Sequence, residues 1–357
     1  MDIEVAKSDL HEIRVRPKEH VDLSPGQGRL RIERFGISAN NITYAVMGES
    51  MRYWDFFPAR EATWGRVPTW GFAKVTESAH EELVVGSRVF GYVPMSTELV
   101  ITPDRFDHTG FSDVVAHRAE LPRVYNRYAY VHQDPHYDPR HEGEVLLLRP
   151  LFITSFVVDD FLADSDFFGA TTIIISSASS KTALAAAFLL GRRMGLHVIG
   201  LTSRSNVDFT VETDIYDEVL HYDDVSRLPL SDAIYVDVAG RPDITRQIHD
   251  HYGERLRYSM IVGDTHWDAQ VSAGGPIAGP VPTLLFAPDH IHRRRREWGR
   301  AQFELAMADS WRSFVKSVSG WLKIRELHGP EEITKAYLDV LEGRIDPRLG
   351  YVCSFDD

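Results

Sequence analysis

The chain has 357 residues, more than one small hydrophobic core needs and enough for about two domains of ~150 residues. Its 43% apolar and 25% charged residues are those of a globular protein, which excludes a disordered or fibrous chain. With 39 basic against 52 acidic side chains the net charge is −13, which repels a phosphate backbone and argues against nucleic acid as a partner.

Cys353, the single cysteine, excludes an internal disulfide and any zinc site of several thiolates, and suits a reducing, cytoplasmic compartment. The first ten residues mix acids with bases, and the longest apolar stretch, Ala183 to Gly191, stops at Arg192 and Arg193. Neither a signal peptide nor a membrane span is therefore expected.

From Gly28 to about Val131 short β-rich segments alternate with turn signals, as in Leu30 to Ile37 and Gly86 to Val93, and predict an irregular β-barrel-like domain. His132 to Glu144 is polar and interrupted by proline, a loop or domain crossing. From Thr171 a β-branched run leads into an alanine- and leucine-rich helical stretch and a second buried strand from His197, a βαβ unit that implies a parallel sheet. Further strands are predicted at Ala233 to Val238, Tyr258 to Gly263 and Thr283 to Phe286. A helix from Arg293 to about Ile324, a second from Pro330 to Glu342 and a closing strand from Leu349 to Phe355 complete the chain. The run Arg293 to Arg296 reads as a partly solvated helix start with acidic neighbours such as Glu297.

Chemistry concentrates where the first strand of the βαβ unit meets its helix. A helix N-terminus offers unpaired N–H groups and a positive dipole end to an anion such as a pyrophosphate. Ser176 to Thr182 occupies that place; its small residues let a phosphate approach, Ser179, Ser180 and Thr182 can donate hydroxyls, and Lys181 adds charge. The glycines of the G-x-G-x-x-G fingerprint are absent, so an ordinary capped helix without ligand is the alternative. A P-loop is another, with Ser180-Lys181-Thr182 as its end and Asp237 as a metal-binding acid, but both P-loop glycines are missing. The next strand ends in Ser203-Arg204-Ser205, where an NAD site carries an acid. Arg204 would instead pair with the 2′-phosphate of NADP, helped by Ser203, unless it is simply a solvated surface arginine.

The order of these segments resembles the medium-chain dehydrogenase/reductase superfamily, in particular its zinc-independent quinone and enoyl reductase branch, from about Gly28 to the C-terminus. The segments that carry the resemblance are Gly36 to Tyr44, Gly86-x-Arg88-Val89-Phe90-Gly91, Gly195 to Gly200 and Asp232 to Gly240. It implies an α/β fold: a Rossmann doubly wound parallel sheet at 146–324 plus a GroES-like β-barrel domain at 1–145 and 325–357, with the active site in the cleft between them. The implied cofactor is NADP(H), with Tyr222 beside the 2′-phosphate and Val238 and Gly263 as further contacts. The implied partners are a hydrophobic small-molecule substrate and a second copy of the chain in a homodimer.

Zinc-dependent members hold the metal with a cysteine on the first strand turn and a His-Glu pair further on. This chain has Asn40 near the first place and Pro68 to Ala73 at the second, and a catalytic zinc needs three protein ligands. His132, His136 and His141, among aspartates in the 132–141 loop, are the remaining metal candidates, against a solvated loop. Without metal, the negative charge that builds on a substrate oxygen needs a proton donor. Tyr53 and Tyr44 stand where the reductase branch places substrate-lining aromatics and its tyrosine donor; packing is the other reading of each. Tyr53, Trp54, Phe56, Phe57, Trp64 and Trp70 suggest an apolar pocket wall or a plain core. The expected function is NADPH-dependent, zinc-independent reduction of an α,β-unsaturated carbonyl or quinone-like substrate. The alternative is a non-catalytic nucleotide-binding or interaction protein on the same scaffold.

Overall fold

Residues 1–262 and 277–356 are described by a computed structural model. The chain divides into two units, Met1–Leu147 with Leu322–Asp357, and Leu148–Trp321.

The first unit is built from β1 (Asp2–Ala6), β2 (Asp9–Arg16), β3 (Gly28–Ile37), α1 (Ala39–Val46), β4 (Trp64–Gly65), β5 (Pro68–Ser78), β6 (Arg88–Pro94), β7 (Glu98–Ile101), β8 (Pro103–Asp107), β9 (Gly110–Asp113) and β10 (Arg127–Tyr130). Its main sheet runs in the order β17-β18-β3-β5-β6-β10-β9-β8 with β7 also on β3, where β17 (Lys323–His328) and β18 (Leu349–Ser354) come from the far end of the chain and flank a helix at Gly329–Leu341. A smaller sheet, β2-β1-β4, takes β1 and β2 from upstream of the first strand predicted from sequence. Most of β3 and β5 is buried, and Phe35, Phe56, Phe57, Tyr92, Phe111 and Tyr128 belong to the core of this unit.

The second unit begins within α2 (Glu142–Asp164). Sequence reading did not anticipate this helix. Val145 to Leu148 are all buried, so no 3.6-residue period marks them, and Pro150 sits inside the helix. There follow β11 (Thr172–Ile175), α3 (Lys181–Leu190), β12 (His197–Thr202), α4 (Val207–Glu212), β13 (Glu218–His221), β14 (Ala233–Asp237), α5 (Pro242–Tyr252), β15 (Leu256–Ile261), β16 (Thr283–Leu284), α6 (Ala287–Trp298) and α7 (Arg300–Val318); α8 is Gly329–Leu341 of the first unit. The sheet is parallel in the order β13-β12-β11-β14-β15-β16. In order of appearance that is 3-2-1-4-5-6, the doubly wound Rossmann arrangement. β11, Thr-Ile-Ile-Ile, is buried throughout, as a central parallel strand covered on both faces must be. Among the described residues no helix is long and apolar enough to cross a membrane.

The single helix expected from Arg293 is two. Gly299, at φ 82°, ends α6 and starts α7, a backbone angle that only glycine adopts freely. The arginine run is partly solvated with Glu297 as a partner, as expected, but one of its members is not solvated. Arg294 is buried against Trp298, and Asp160 and Asp164 of α2 bind it at 2.6 and 2.9 Å. Arg293 reaches Asp164 at 2.7 Å, and His290 completes the cluster on Asp160. The run fastens α6 to α2.

Candidate functional site

The Rossmann order reverses between β11 and β14, and the carboxyl ends of the strands beside such a reversal form the usual ligand crevice of an open α/β sheet. Two turns meet there. The first, Ser176 to Ser180, is shaped without glycine: Ser177 adopts φ 52°, and its N–H donates to the Tyr222 hydroxyl at 2.9 Å. Ser176 and Ala178 donate their N–H groups to Val236 and Leu201, and Ser180 to Ser177. Ala178 packs so tightly against Gly200 that a Cβ on Gly200 would lie 2.8 Å from that of Ala178. The close packing that the fingerprint assigns to a glycine in the turn is thus supplied by one on the facing strand.

The second turn, Val238 to Arg241, is tied to the first through Ser176. The buried Ser176 hydroxyl donates to Asp237 Oδ1 at 2.7 Å and accepts the N–H groups of Val238 and Ala239, each at 2.9 Å. Asp237 also accepts from the Ala239 and Gly240 amides and, on Oδ2, from Thr245 at 2.8 Å. With both oxygens engaged, Asp237 is a structural clamp, not the metal-binding acid of a P-loop.

Most of the residues singled out in this unit gather at these ends. Ser180 caps α3 by accepting the Ala183 N–H, and Thr182 follows in the first helical turn. The Ser179 hydroxyl accepts from Thr202 and from Asn206 at 3.0 Å, which anchors it to the end of β12. Lys181 is half-buried, and burial pushes its ammonium down to about 8. Arg204 is exposed and lies 3.4 Å from Asp223, an acid that sequence reading did not associate with it; Ser203 meets Ser205 at 3.2 Å. Tyr222 directly follows β13. Its hydroxyl closes the first turn, and its ring lies 5.2 Å beneath the Arg241 guanidinium. Arg241, half-exposed and ion-paired with Asp243, is a third cation at the crevice that sequence reading missed. Gly263 lies outside the described residues.

In the first unit the two candidate tyrosines are neighbours, their ring centroids 4.6 Å apart. Tyr44, on α1, is buried; its oxygen accepts from Asn40 Nδ2 at 2.7 Å and Trp70 Nε1 at 3.3 Å. Burial raises its pKa to about 12. The α1 turn is fixed by Asn41, whose Oδ1 accepts the Ser38 N–H and whose Nδ2 donates to the Pro68 carbonyl. Tyr53 is half-buried, with its hydroxyl 3.4 Å from that of Tyr125. Tyr125 and Tyr92 were not singled out from sequence, yet their rings lie 4.7 Å apart, tilted by 36°, and complete a group of four tyrosines. Burial raises both well above the usual tyrosine range, and the Tyr92 hydroxyl has no hydrogen-bond partner among the described residues. Phe56 and Trp70 belong to this wall, but Trp54 packs on Gly48 and Gly65, and Trp64 lies under Arg14.

Among the described residues no three His, Cys, Asp or Glu side chains come together as metal ligands. His136 is buried on Asp134, His141 meets Glu144, and His132 lies against the Tyr130 ring. Cys353 is buried in β18, where burial pushes its thiol up.

Fold and crevice together define an α/β protein, a Rossmann unit joined in one chain to a GroES-like β-unit. The chain belongs to the family described as "Protein of unknown function (DUF2855)", which matches residues 35–346. No curated protein matches it. Solved structures similar in fold include CurA from Vibrio vulnificus, with 13% identity over 99% of this chain and 96% of that one and a TM-score of 0.58. CurK enoyl reductase is similar at 12% identity over 96% and 95% of the two chains, TM-score 0.58. Glucose dehydrogenase from Haloferax mediterranei, solved with NADP, Zn and gluconolactone, is similar at 14% identity over 100% and 99%, TM-score 0.54.

Proposed function

We propose that the protein is an NADPH-dependent, zinc-independent reductase of an α,β-unsaturated carbonyl or quinone-like substrate. The observation that carries this reading is the placement of Lys181, Arg204 and Arg241 around two small-residue turns at the carboxyl ends of a Rossmann sheet, in a chain with a net charge of −13. Similar folds have been solved with NADP(H): CurA in complex with NADPH, and the glucose dehydrogenase with NADP.

The residues fit a dinucleotide. Ser179, Ser180 and Thr182 offer hydroxyls to the pyrophosphate and Lys181 an ammonium, while Arg204 and Ser203 reach the 2′-phosphate. Val238 and Gly263 are the remaining expected contacts. When bound, NADPH supplies a hydride. Tyr53 then holds a proton at its hydroxyl for the oxygen on which charge develops, and Tyr44 shapes the aromatic wall beside it. The zinc-independent part of the reading rests on residue types, since Asn40, bonded to Tyr44, stands where a cysteine ligand is expected.

A second reading, a nucleotide-binding scaffold without turnover, is favoured by one observation: the Ser177 amide is already taken by Tyr222. Titration of the full chain with NADPH and NADH, followed by a turnover screen over quinones and enones, separates the two. Tight NADPH binding with turnover supports the reductase, binding without turnover on any acceptor supports the scaffold, and no binding sinks both.

A further inference from the structure

In the first unit, away from the four tyrosines, a pocket with about 490 Å³ of open space, its mouth included, lies between the β8–β9 hairpin and the segment leading to β10. Its lining includes Arg105, Ser112, Asp113, Val114, Arg123 and Asn126.

Two features mark it as more than a surface dent. The floor is polar, buried and incompletely bonded. Asp113, 1% exposed, uses Oδ1 to accept the N–H groups of Thr102 and Val115. Its Oδ2 lies 3.1 Å from Nη2 of the buried Arg118 yet receives no hydrogen bond of good geometry. Asn126, 7% exposed, donates to the Arg118 carbonyl, but its Oδ1 accepts from nothing among the described residues. A buried acceptor without a donor costs free energy unless something else supplies one. The rim, by contrast, is cationic. Neither the Arg105 nor the Arg123 guanidinium has an acidic partner among the described residues, whereas the neighbouring Arg127 is bound by Asp107. Arg105 also holds a left-handed backbone angle, φ 54°, which a non-glycine residue adopts only under constraint.

We propose that this pocket binds a small hydroxylated organic anion. Arg105 and Arg123 take its carboxylate or phosphate through charge-assisted hydrogen bonds, and a hydroxyl of the same molecule donates to Asn126 Oδ1 on the floor. Because Asp113 is neutralised by Arg118, the pocket keeps the positive balance of its rim. The proposal does not depend on the cofactor reading, since no residue of the Rossmann unit takes part.

The test is calorimetric titration of the full chain, at low salt, with 3-phosphoglycerate, inorganic phosphate and glycerol. 3-Phosphoglycerate is expected to bind most tightly, with a loss of about tenfold or more in Arg123→Ala and in Arg105→Gly, which also relieves the backbone angle. Both positions are exposed, so without ligand Arg123→Ala is expected to leave the melting temperature unchanged and Arg105→Gly not to lower it. Binding of 3-phosphoglycerate no stronger than that of inorganic phosphate would overturn the hydroxyl contact, and binding that survives both substitutions would overturn the site.

Discussion

The Tyr222 hydroxyl accepts the Ser177 N–H at 2.9 Å, so a side chain from the end of β13 closes the turn that follows β11. In a glycine-rich turn that amide would face the ligand. Tyr222→Phe releases it. The variant is expected to melt lower, having lost a hydrogen bond worth about 1 kcal/mol, and to bind NADPH at least as tightly as the parent. A tenfold loss in NADPH affinity, measured by fluorescence titration, would instead put the hydroxyl on the 2′-phosphate.

Arg204 and Asp223 compete for the same role from opposite sides. A charged hydrogen bond to phosphate contributes roughly 1.5–3 kcal/mol, so Arg204→Ala should weaken NADPH about tenfold or more and leave NADH nearly unchanged. Asp223→Asn frees the guanidinium, 3.4 Å away, and should tighten NADPH modestly. Equal effects on the two cofactors would disprove the assignment.

Lys181 makes two pH effects of opposite sign. Burial lowers its pKa from 10.5 to about 8, so between those values the unfolded chain holds a proton that the folded chain has released. The contribution of this site to folding stability therefore rises with pH across that window. Phosphate binding needs the ammonium, so NADPH affinity is expected to fall as pH climbs through about 8. Lys181→Gln should flatten both profiles; a wild-type affinity that stays level from pH 7 to pH 9 would remove Lys181 from the site.

Tyr53 and Tyr44 separate a donor from a wall. Loss of one donor to a developing oxyanion costs ~10²–10³ in turnover. Tyr53→Phe is expected to keep NADPH affinity and melting behaviour while losing most turnover. Tyr44→Phe, which strips a partner from Asn40 and Trp70, should act more on stability. Parent-like turnover in Tyr53→Phe returns that residue to the core.

The Asp160 cluster gives the largest expected stability effect. Asp160→Ala takes one acidic partner from the buried Arg294 and leaves it Asp164 and Glu297, at a cost of about 1.5–3 kcal/mol. Burial alone would raise the Asp160 pKa, but hydrogen bonds from His290 and Arg294 hold it below the usual range. Its contribution is therefore present above the ordinary carboxylate pKa and lost as pH falls through the lowered one. Calorimetric melting of parent and variant in neutral and acid buffer checks both statements.

Much of the Rossmann unit was legible because its signals are local. Three β-branched isoleucines in a row read as an inner strand, and a serine followed by an alanine-rich run reads as a capped helix. What escaped depends on distance along the chain. Arg294 looked solvated because the aspartate that buries it lies 134 residues upstream, on a helix whose apolar residues show no period. Tyr125 meets Tyr53 across 72 residues, and no spacing in the sequence announces that contact. The cation at Arg241 was hidden in the same way, since its relation to Tyr222 arises only when β13 and β14 come to lie on either side of the β11–β12 pair.

The Ser176–Asp237 bond changes what evolution must preserve in order to keep this turn. A glycine fingerprint restricts one residue type at closely spaced positions; here the restriction falls on a hydroxyl and a carboxylate 61 residues apart. Either can be exchanged only if the other compensates, so the two positions should vary as a couple across the family. Paired variation at 176 and 237, more than any run of glycines, is the mark by which distant members with the same turn can be found.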